Sequence, residues 1–265
     1  MTTYSGRHAA FLEEIGVGPL WVRRTAAASM GQADEVAAVA AVVAEEQRVA
    51  APAERAPSAW TDASPASCAP AVAEMDWMQL QAAVAACTKC RLCEQRTHTV
   101  FGVGDQKAKW LFIGEGPGRS EDAKGEPFVG PAGKLLDNML LAIGVKRGVN
   151  AYIANIVKCR PTDAMGKDRP PTAAETDACM PYLNRQIALI QPTVIVALGK
   201  TAALSLLKRD PDTSVATLRG SVHRYAGLPL IVTYHPAYLL RTPADKRKTW
   251  ADLCLAMQTY AHAGG

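Results

Sequence analysis

The stretch Lys109-Trp110-Leu111-Phe112-Ile113-Gly114-Glu115-Gly116-Pro117-Gly118 decides how the chain is read. An unbroken aliphatic and aromatic run that meets a glycine-rich turn has the form of a short strand followed by a tight reversal. Three later segments repeat the form: Ala151 to Val157, Thr193 to Leu198 and Leu228 to Tyr234. Between them, Gly133 to Ile143, Ala173 to Ile190 and Thr201 to Lys208 carry apolar residues at helical spacing. This alternation predicts an α/β domain, three αβα layers around a mostly parallel four-stranded sheet. In open sheets of this kind ligands gather beyond the carboxyl ends of the strands. Gly114 to Gly118 closes the first strand, Asn155 and Cys159 fall at the end of the second, Gly199-Lys200 ends the third, and His235-Pro236 ends the fourth. The chemically suggestive residues are therefore expected along one rim.

Working outward, the remainder of the chain has a different character. Residues 1–85 hold five Arg, no Lys and ten acids, a net charge of −5, whereas the rest holds 24 Lys or Arg against 15 acids, a net of +9. A basic body behind an acidic leader suits a polyanion binder, although an ordinary soluble domain can carry the same charge. Residues 7–24 read as a short amphipathic unit, 33–50 as an Ala/Val/Glu helix and 51–73 as an Ala/Pro/Ser-rich linker. A further helix is expected from the N-cap Asp76, delivering Cys87. Residues 1–75 are thus read as an acidic extension with short helices and disordered linker, able to recruit a protein partner, and residues 76–265 as the functional domain. Met1 to His8 lack the pattern of a secretory signal. The longest apolar run, Val36 to Ala44, falls well short of the roughly 18 to 20 residues that span a bilayer. A cytoplasmic, membrane-free monomer is expected.

Seven cysteines in a reducing compartment point to ligands, reactive groups or buried thiols before disulfides. Cys87-Thr88-Lys89-Cys90 forms one local pair, to be joined by the distant Cys159 and Cys179. Four thiols so arranged fit zinc or an iron–sulfur centre, which spacing does not separate, and chance remains a third reading. Cys93 adds a third local thiol, while Cys68 and Cys254 read as bystanders.

Among the rim residues, Glu115 is a carboxylate at the end of a central strand, a costly position unless it is solvated or used. The glycines around it, Gly116 included, allow close backbone approach to a phosphate or a nucleotide, though a plain β-to-α turn would need them too. Phe128 lies among turn residues where a purely structural Phe is less expected. Asn155 interrupts an apolar strand with an amide that both donates and accepts, as reading a pyrimidine edge requires; a backbone-satisfied buried Asn is the bland alternative. His235, before Pro236, is either a structural helix start or a donor to a developing anion.

Together, Val100-Phe-Gly-Val-Gly104, Gly114 to Gly118 with Glu121-Asp122, Pro127-Phe-Val-Gly130, Asn155-Ile-Val-Lys-Cys-Arg-Pro161 and His235-Pro-Ala-Tyr-Leu-Leu-Arg241, behind the Cys-x2-Cys lead, resemble the family 4 uracil-DNA glycosylases. The resemblance covers about residues 75 to 262. It implies excision of uracil from single-stranded or duplex DNA, with a 4Fe-4S cluster on Cys87, Cys90, Cys159 and Cys179; Cys93 departs from the family motif. It implies that Phe128 stacks on the extruded uracil and Asn155 bonds its edge, with Gly116 and Glu121 in the pocket wall. His235 would stabilise charge on uracil O2, and Glu115 would position water at C1′. Leu239 or Leu240 would wedge into the vacated stack, and Tyr238, Arg241, Lys158 and Arg160 would contact DNA. A related branch that stays covalently joined to its DNA carries a Lys-Arg-Arg-Ile-His-like loop; Arg160 to Pro171 has no His. Turnover is therefore expected. Two rivals stay open, an iron–sulfur nucleic-acid binder without hydrolase activity and a four-cysteine zinc protein that uses the glycine turn for a phosphate.

Overall fold

The computed structural model describes residues 71–264. The helices expected over 7–24 and 33–50, the linker up to residue 70 and Cys68 lie outside the described residues. The described chain contains six strands: β1 (Val103–Gly104), β2 (Trp110–Gly114), β3 (Ala151–Asn155), β4 (Val194–Leu198), β5 (Val222–Tyr225) and β6 (Leu228–Thr233). They form one sheet in the order β1-β3-β2-β4-β6-β5. The inner four, β3, β2, β4 and β6, are parallel and are the four read from the sequence. The count of four is corrected to six, because β1 and β5 add antiparallel edges on β3 and β6.

Eight α-helices complete the layers: α1 (Trp77–Ala85), α2 (Arg119–Lys124), α3 (Pro131–Ala142), α4 (Ala173–Ile190), α5 (Lys200–Leu207), α6 (Val215–Leu218), α7 (Pro236–Arg241) and α8 (Lys246–His262). Alternation along each inner strand divides the core in two. Leu111, Ile113, Tyr152, Ala154, Ile195 and Ala197 join Leu80 and Val84 of α1 and Leu183 and Ile187 of α4. Trp110, Phe112, Ile153, Val194 and Val196 turn the other way, toward Leu136 and Leu140 of α3 and Leu253 of α8. Strands buried on both faces need the unbroken apolar runs seen in the sequence.

Local chemistry starts the helices that matter for the site. Asp76 Oδ1 accepts from Gln79 N at 2.8 Å while Asp76 N donates to Gln79 Oε1 at 3.0 Å, a reciprocal cap that starts α1 where the sequence placed it. Thr172 and Glu175 cap α4 in the same way. Arg169 grips both oxygens of Glu175 at 2.8 and 2.6 Å. That guanidinium holds the Glu175 carboxyl below its usual range. The crossover from β3 is thus fastened at the start of α4, one turn before Cys179. Among the described residues no helix is long and apolar enough to cross a membrane.

Candidate active site and thiol pocket

The strand ends bring the rim residues together. Gly114 and Asn155 are paired in register at the ends of β2 and β3. A Cβ on Gly114 would lie 2.5 Å from Asn155 Oδ1 and 2.6 Å from the Phe128 ring, so only glycine leaves room for amide and ring side by side. Gly199 plays the same part beneath His235: at φ +91° it takes a backbone form that side chains avoid, and its Cβ would meet His235 Cβ at 2.9 Å. Gly116 lies beside Val157, 2.8 Å from the Val157 methyl at its Cβ position.

Phe128 is buried, with a positive φ of 55°. That conformation is unfavourable for a bulky residue and must be held from outside. Arg147 holds it: Nη1 donates to Pro127 O and Nη2 to Phe128 O, both at 2.9 Å, while Nε is anchored on Asp137 at 2.9 Å. From the other side Glu121 Oε1 accepts from Val129 N at 3.0 Å and Gly130 N at 3.2 Å. Glu121, expected in the pocket wall, therefore shapes that wall through the Phe128 loop. The Phe128 ring stacks against His235 with centroids 5.5 Å apart at 29°.

Asn155 is 2% exposed and its Oδ1 has no hydrogen-bond partner. A buried acceptor left open costs about 1–3 kcal/mol, which a ligand N–H would recover. His235 caps α7, its Nδ1 accepting from Ala237 N at 3.2 Å. A lone pair on Nδ1 places the proton of the neutral ring on Nε2. Burial, with the nearby Arg241 charge second, pushes the His235 pKa down to about 4, so the ring is neutral at physiological pH. Glu115 follows Gly114 at the strand exit, and its Oε2 accepts a hydrogen bond from the Thr201 hydroxyl in the first turn of α5.

The residues expected on the DNA side separate into two groups. Arg241 and Leu240 are exposed. Tyr238 stacks on Tyr234 at 4.9 Å and its hydroxyl donates to Asp245 at 2.7 Å. Two expectations, Leu239 and Lys158, are corrected. Leu239 is 1% exposed, because the phase of α7 turns it inward with Pro236, whereas Leu240 is exposed. Lys158 is also 1% exposed and its ammonium is spent inside the protein, out of reach of a phosphate. Arg160 bonds within its own loop, to Asp168 at 2.5 Å and Gly166 O at 3.1 Å.

Cys87, Cys90, Cys93, Cys159 and Cys179 line one pocket between α1, the β3 exit and α4. Arg96 closes it: Nη1 donates to Cys159 Sγ at 3.3 Å and to Cys87 O at 2.7 Å, and Nη2 to Ala85 O at 2.9 Å, at the carboxyl end of α1. Lys158 N donates to Cys179 Sγ at 3.3 Å. Burial raises the Cys159 thiol, with Arg96 opposing, and raises Cys179 to about 11. Thiols so disfavoured as anions need a cationic guest to become thiolates. Among the described residues no group of three or more His, Cys, Asp or Glu is placed to hold a metal ion. A tetrahedral zinc with bonds of about 2.3 Å needs its sulfurs about 3.8 Å apart, whereas a four-iron cluster takes one thiolate at each corner. The thiols line one pocket, and N–H donors are aimed at two of the sulfurs. Cys254 stands apart in α8.

Arg147, Arg96 and Thr201 were not singled out from the sequence. Only Thr201 had a signal, its place just after the Gly199-Lys200 strand end. A concavity of about 1420 Å³ lies elsewhere, between α4, α5 and the β5–β6 turn, and reaches the rim at Lys200 and Thr201.

An aromatic ring, an amide with an open acceptor, a neutral imidazole and a carboxylate thus gather at one rim of an α/β sheet, the arrangement of an enzyme of that fold class. The profile of the Uracil DNA glycosylase superfamily matches residues 101–254. The chain is similar to the type-4 uracil-DNA glycosylase of Archaeoglobus fulgidus, 43% identical over 175 residues, covering 64% of this chain and 85% of the relative. It is 39% identical over 187 residues to that of Pyrobaculum aerophilum, covering 68% and 93%, and 44% identical over 161 residues to that of Thermotoga maritima, covering 60% and 81%. The chain belongs to the uracil DNA glycosylase superfamily, in its type-4 branch.

Proposed function

We propose that the protein excises uracil from DNA by hydrolysing the N-glycosidic bond, releasing free uracil and leaving an abasic site. The observation that carries this reading is the buried, unpartnered Oδ1 of Asn155 beside the Phe128 ring. Uracil presents an N3–H donor next to the O4 acceptor, which the Oδ1 and Nδ2 of one amide match. Cytosine presents the inverse pattern. The base must leave the stack to reach this pocket, at a cost of a few kcal/mol that is smallest for mismatched or single-stranded uracil. Leu240 fills the gap it leaves, and Arg241 takes a phosphate.

Bond cleavage leaves positive charge on the sugar and negative charge on uracil. The His235 Nε2–H donates to O2 as the uracil anion forms, and a neutral ring does so without first shedding a proton. Glu115, anchored through Oε2 on Thr201, keeps Oε1 for the water that attacks C1′ and for the developing cation. The water oxygen bonds to C1′ as the C1′–N1 bond breaks; one of its protons stays on the new C1′ hydroxyl, the other passes to the Glu115 carboxylate or solvent, and uracil takes up one proton at N1.

Cys87, Cys90, Cys159 and Cys179 would hold a 4Fe-4S cluster, whose contribution is to brace the β3 exit. Cys93, in the same pocket, is left as a spare thiol. The purified chain is expected to be brown with about four irons per molecule, and Cys159→Ser to lose most of that iron; about one zinc and no iron would overturn the assignment. Incubation with a uracil-containing oligonucleotide should release free uracil over many turnovers. An adduct with DNA that survives denaturation would refute turnover, and a folded, cluster-loaded preparation that releases no uracil would favour the non-catalytic binder.

A further inference from the structure

We infer that Lys158 is a positioning residue for the base-reading amide, linking the thiol pocket to Asn155 through a buried ammonium. The inference rests on the glycosylase reading and assigns Lys158 no contact with DNA. Its Nζ donates to the backbone carbonyl of Asn155 at 3.0 Å and to Gln186 Oε1 at 2.6 Å. Gln186 is itself fully buried and fixed by its Nε2 donating to Phe101 O at 2.9 Å. The Lys158 backbone is held at both ends, its N–H on Cys179 Sγ at 3.3 Å and its carbonyl accepting from Val100 N at 2.7 Å.

Removing an ammonium from water is expensive, and proteins do it where the charge has a task. The task is visible in the geometry. Asn155 is the last residue of β3, and its Oδ1 has no protein partner to hold the side chain in place. The side chain's direction therefore depends on the backbone from which it projects. The Lys158 side chain curls back over three residues to pin the Asn155 carbonyl. The same lysine's peptide touches Cys179, so the thiol pocket and the base-reading amide are separated by one residue's own bonds. An ordinary helix-face or surface lysine has none of these constraints.

The test uses the full chain with its cluster and compares wild type with Lys158→Met and Gln186→Met. Iron content and visible absorbance report loading. Competition by free uracil reports the base pocket, and binding of a uracil-free oligonucleotide over a salt series reports phosphate contacts. Lys158→Met is expected to raise the free-uracil inhibition constant about tenfold and to lower kcat/KM similarly, per loaded molecule, with unchanged affinity and salt slope on uracil-free DNA. Gln186→Met, which keeps the bond to Asn155 O but frees one side of the ammonium, is expected to raise it by about threefold. Unchanged free-uracil inhibition in a folded, loaded variant would make Lys158 merely structural and overturn the inference. A flatter salt slope would return it to the phosphate role and overturn it equally. Should Lys158→Met fail to fold or load, Gln186→Met decides alone: a raised constant supports the inference and an unchanged one rejects it. Wild type that fails to release uracil refutes the glycosylase reading instead.

Discussion

Asn155→Asp is expected to lower kcat/KM on uracil-containing oligonucleotides by about 10³-fold or more, in a chain that still folds and keeps its cluster absorbance. The argument is one of matched groups. In the proposed reading the amide offers Oδ1 to uracil N3–H and Nδ2 to uracil O4; a carboxylate offers two acceptors, so O4 would meet a lone pair in place of a donor. Asn155 is 2% exposed, and buried sites built on hydrogen bonds reject a mismatched partner by about 10⁴–10⁵. A carboxylate accepts from the exocyclic amine of cytosine, so any residual activity should shift toward cytosine-containing DNA. Because Asn155 and Asp are nearly isosteric and Gly114 leaves room for either, the fold is not at stake. Single-turnover uracil release, read beside iron content, checks this; loss of less than tenfold would move base recognition away from Asn155.

His235→Ala is expected to cost about 10²–10³ in kcat, the typical worth of one preorganised donor to a developing anion, with a smaller change in KM. The pH profile adds a sharper expectation. An unperturbed imidazole titrates near 6.5, and here burial and Arg241 lower it to about 4. A lowered pKa favours the neutral ring in the folded protein, so the donor form persists as pH falls through 6.5, and kcat/KM should carry no inflection from His235 until about pH 4. The same shift makes His235 a stability group with a defined sign. Its contribution is fully present above about 6.5 and is lost as pH falls toward 4, because the unfolded chain takes up the proton first. Protonation at Nδ1 would also remove the lone pair that accepts from Ala237 N and so uncap α7. A wild-type inflection near 6.5 that disappears in His235→Ala would show that the ring titrates as a solvated one.

The inner strands were legible because each is buried on both faces and so must be an unbroken apolar run, as Trp110 to Ile113 is. The edges were not. β1 is two residues long, and Val222 to Tyr225 alternates exposed and half-buried side chains with His223 and Arg224 among them, which in one dimension reads as loop. The rim was legible for a topological reason: parallel strands put their exits on one side, so residues far apart in sequence needed only to follow strands. Side-chain direction was less so. A lysine after a strand reads as a surface charge, yet the chain beyond Asn155 stays inside and carries Lys158 with it. Leu239 and Leu240 are adjacent in sequence, and only the phase of α7, set by His235 and Pro236, separates inside from outside. The clamps, Arg147 on Phe128 and Arg96 on the thiols, come from segments without any motif.

The two antiparallel edges have a consequence for how the protein behaves in company. A sheet end is a template for another chain's backbone, and long, flat, apolar ends invite aggregation. Here one end stops after two residues, with Gly104 pressed so close to Ala151 that a side chain has no place, and the other is a hairpin arm bearing His223 and Arg224. Neither offers a run of free amides beside an apolar face. Among the described residues, association by strand addition is therefore disfavoured at both ends of the sheet.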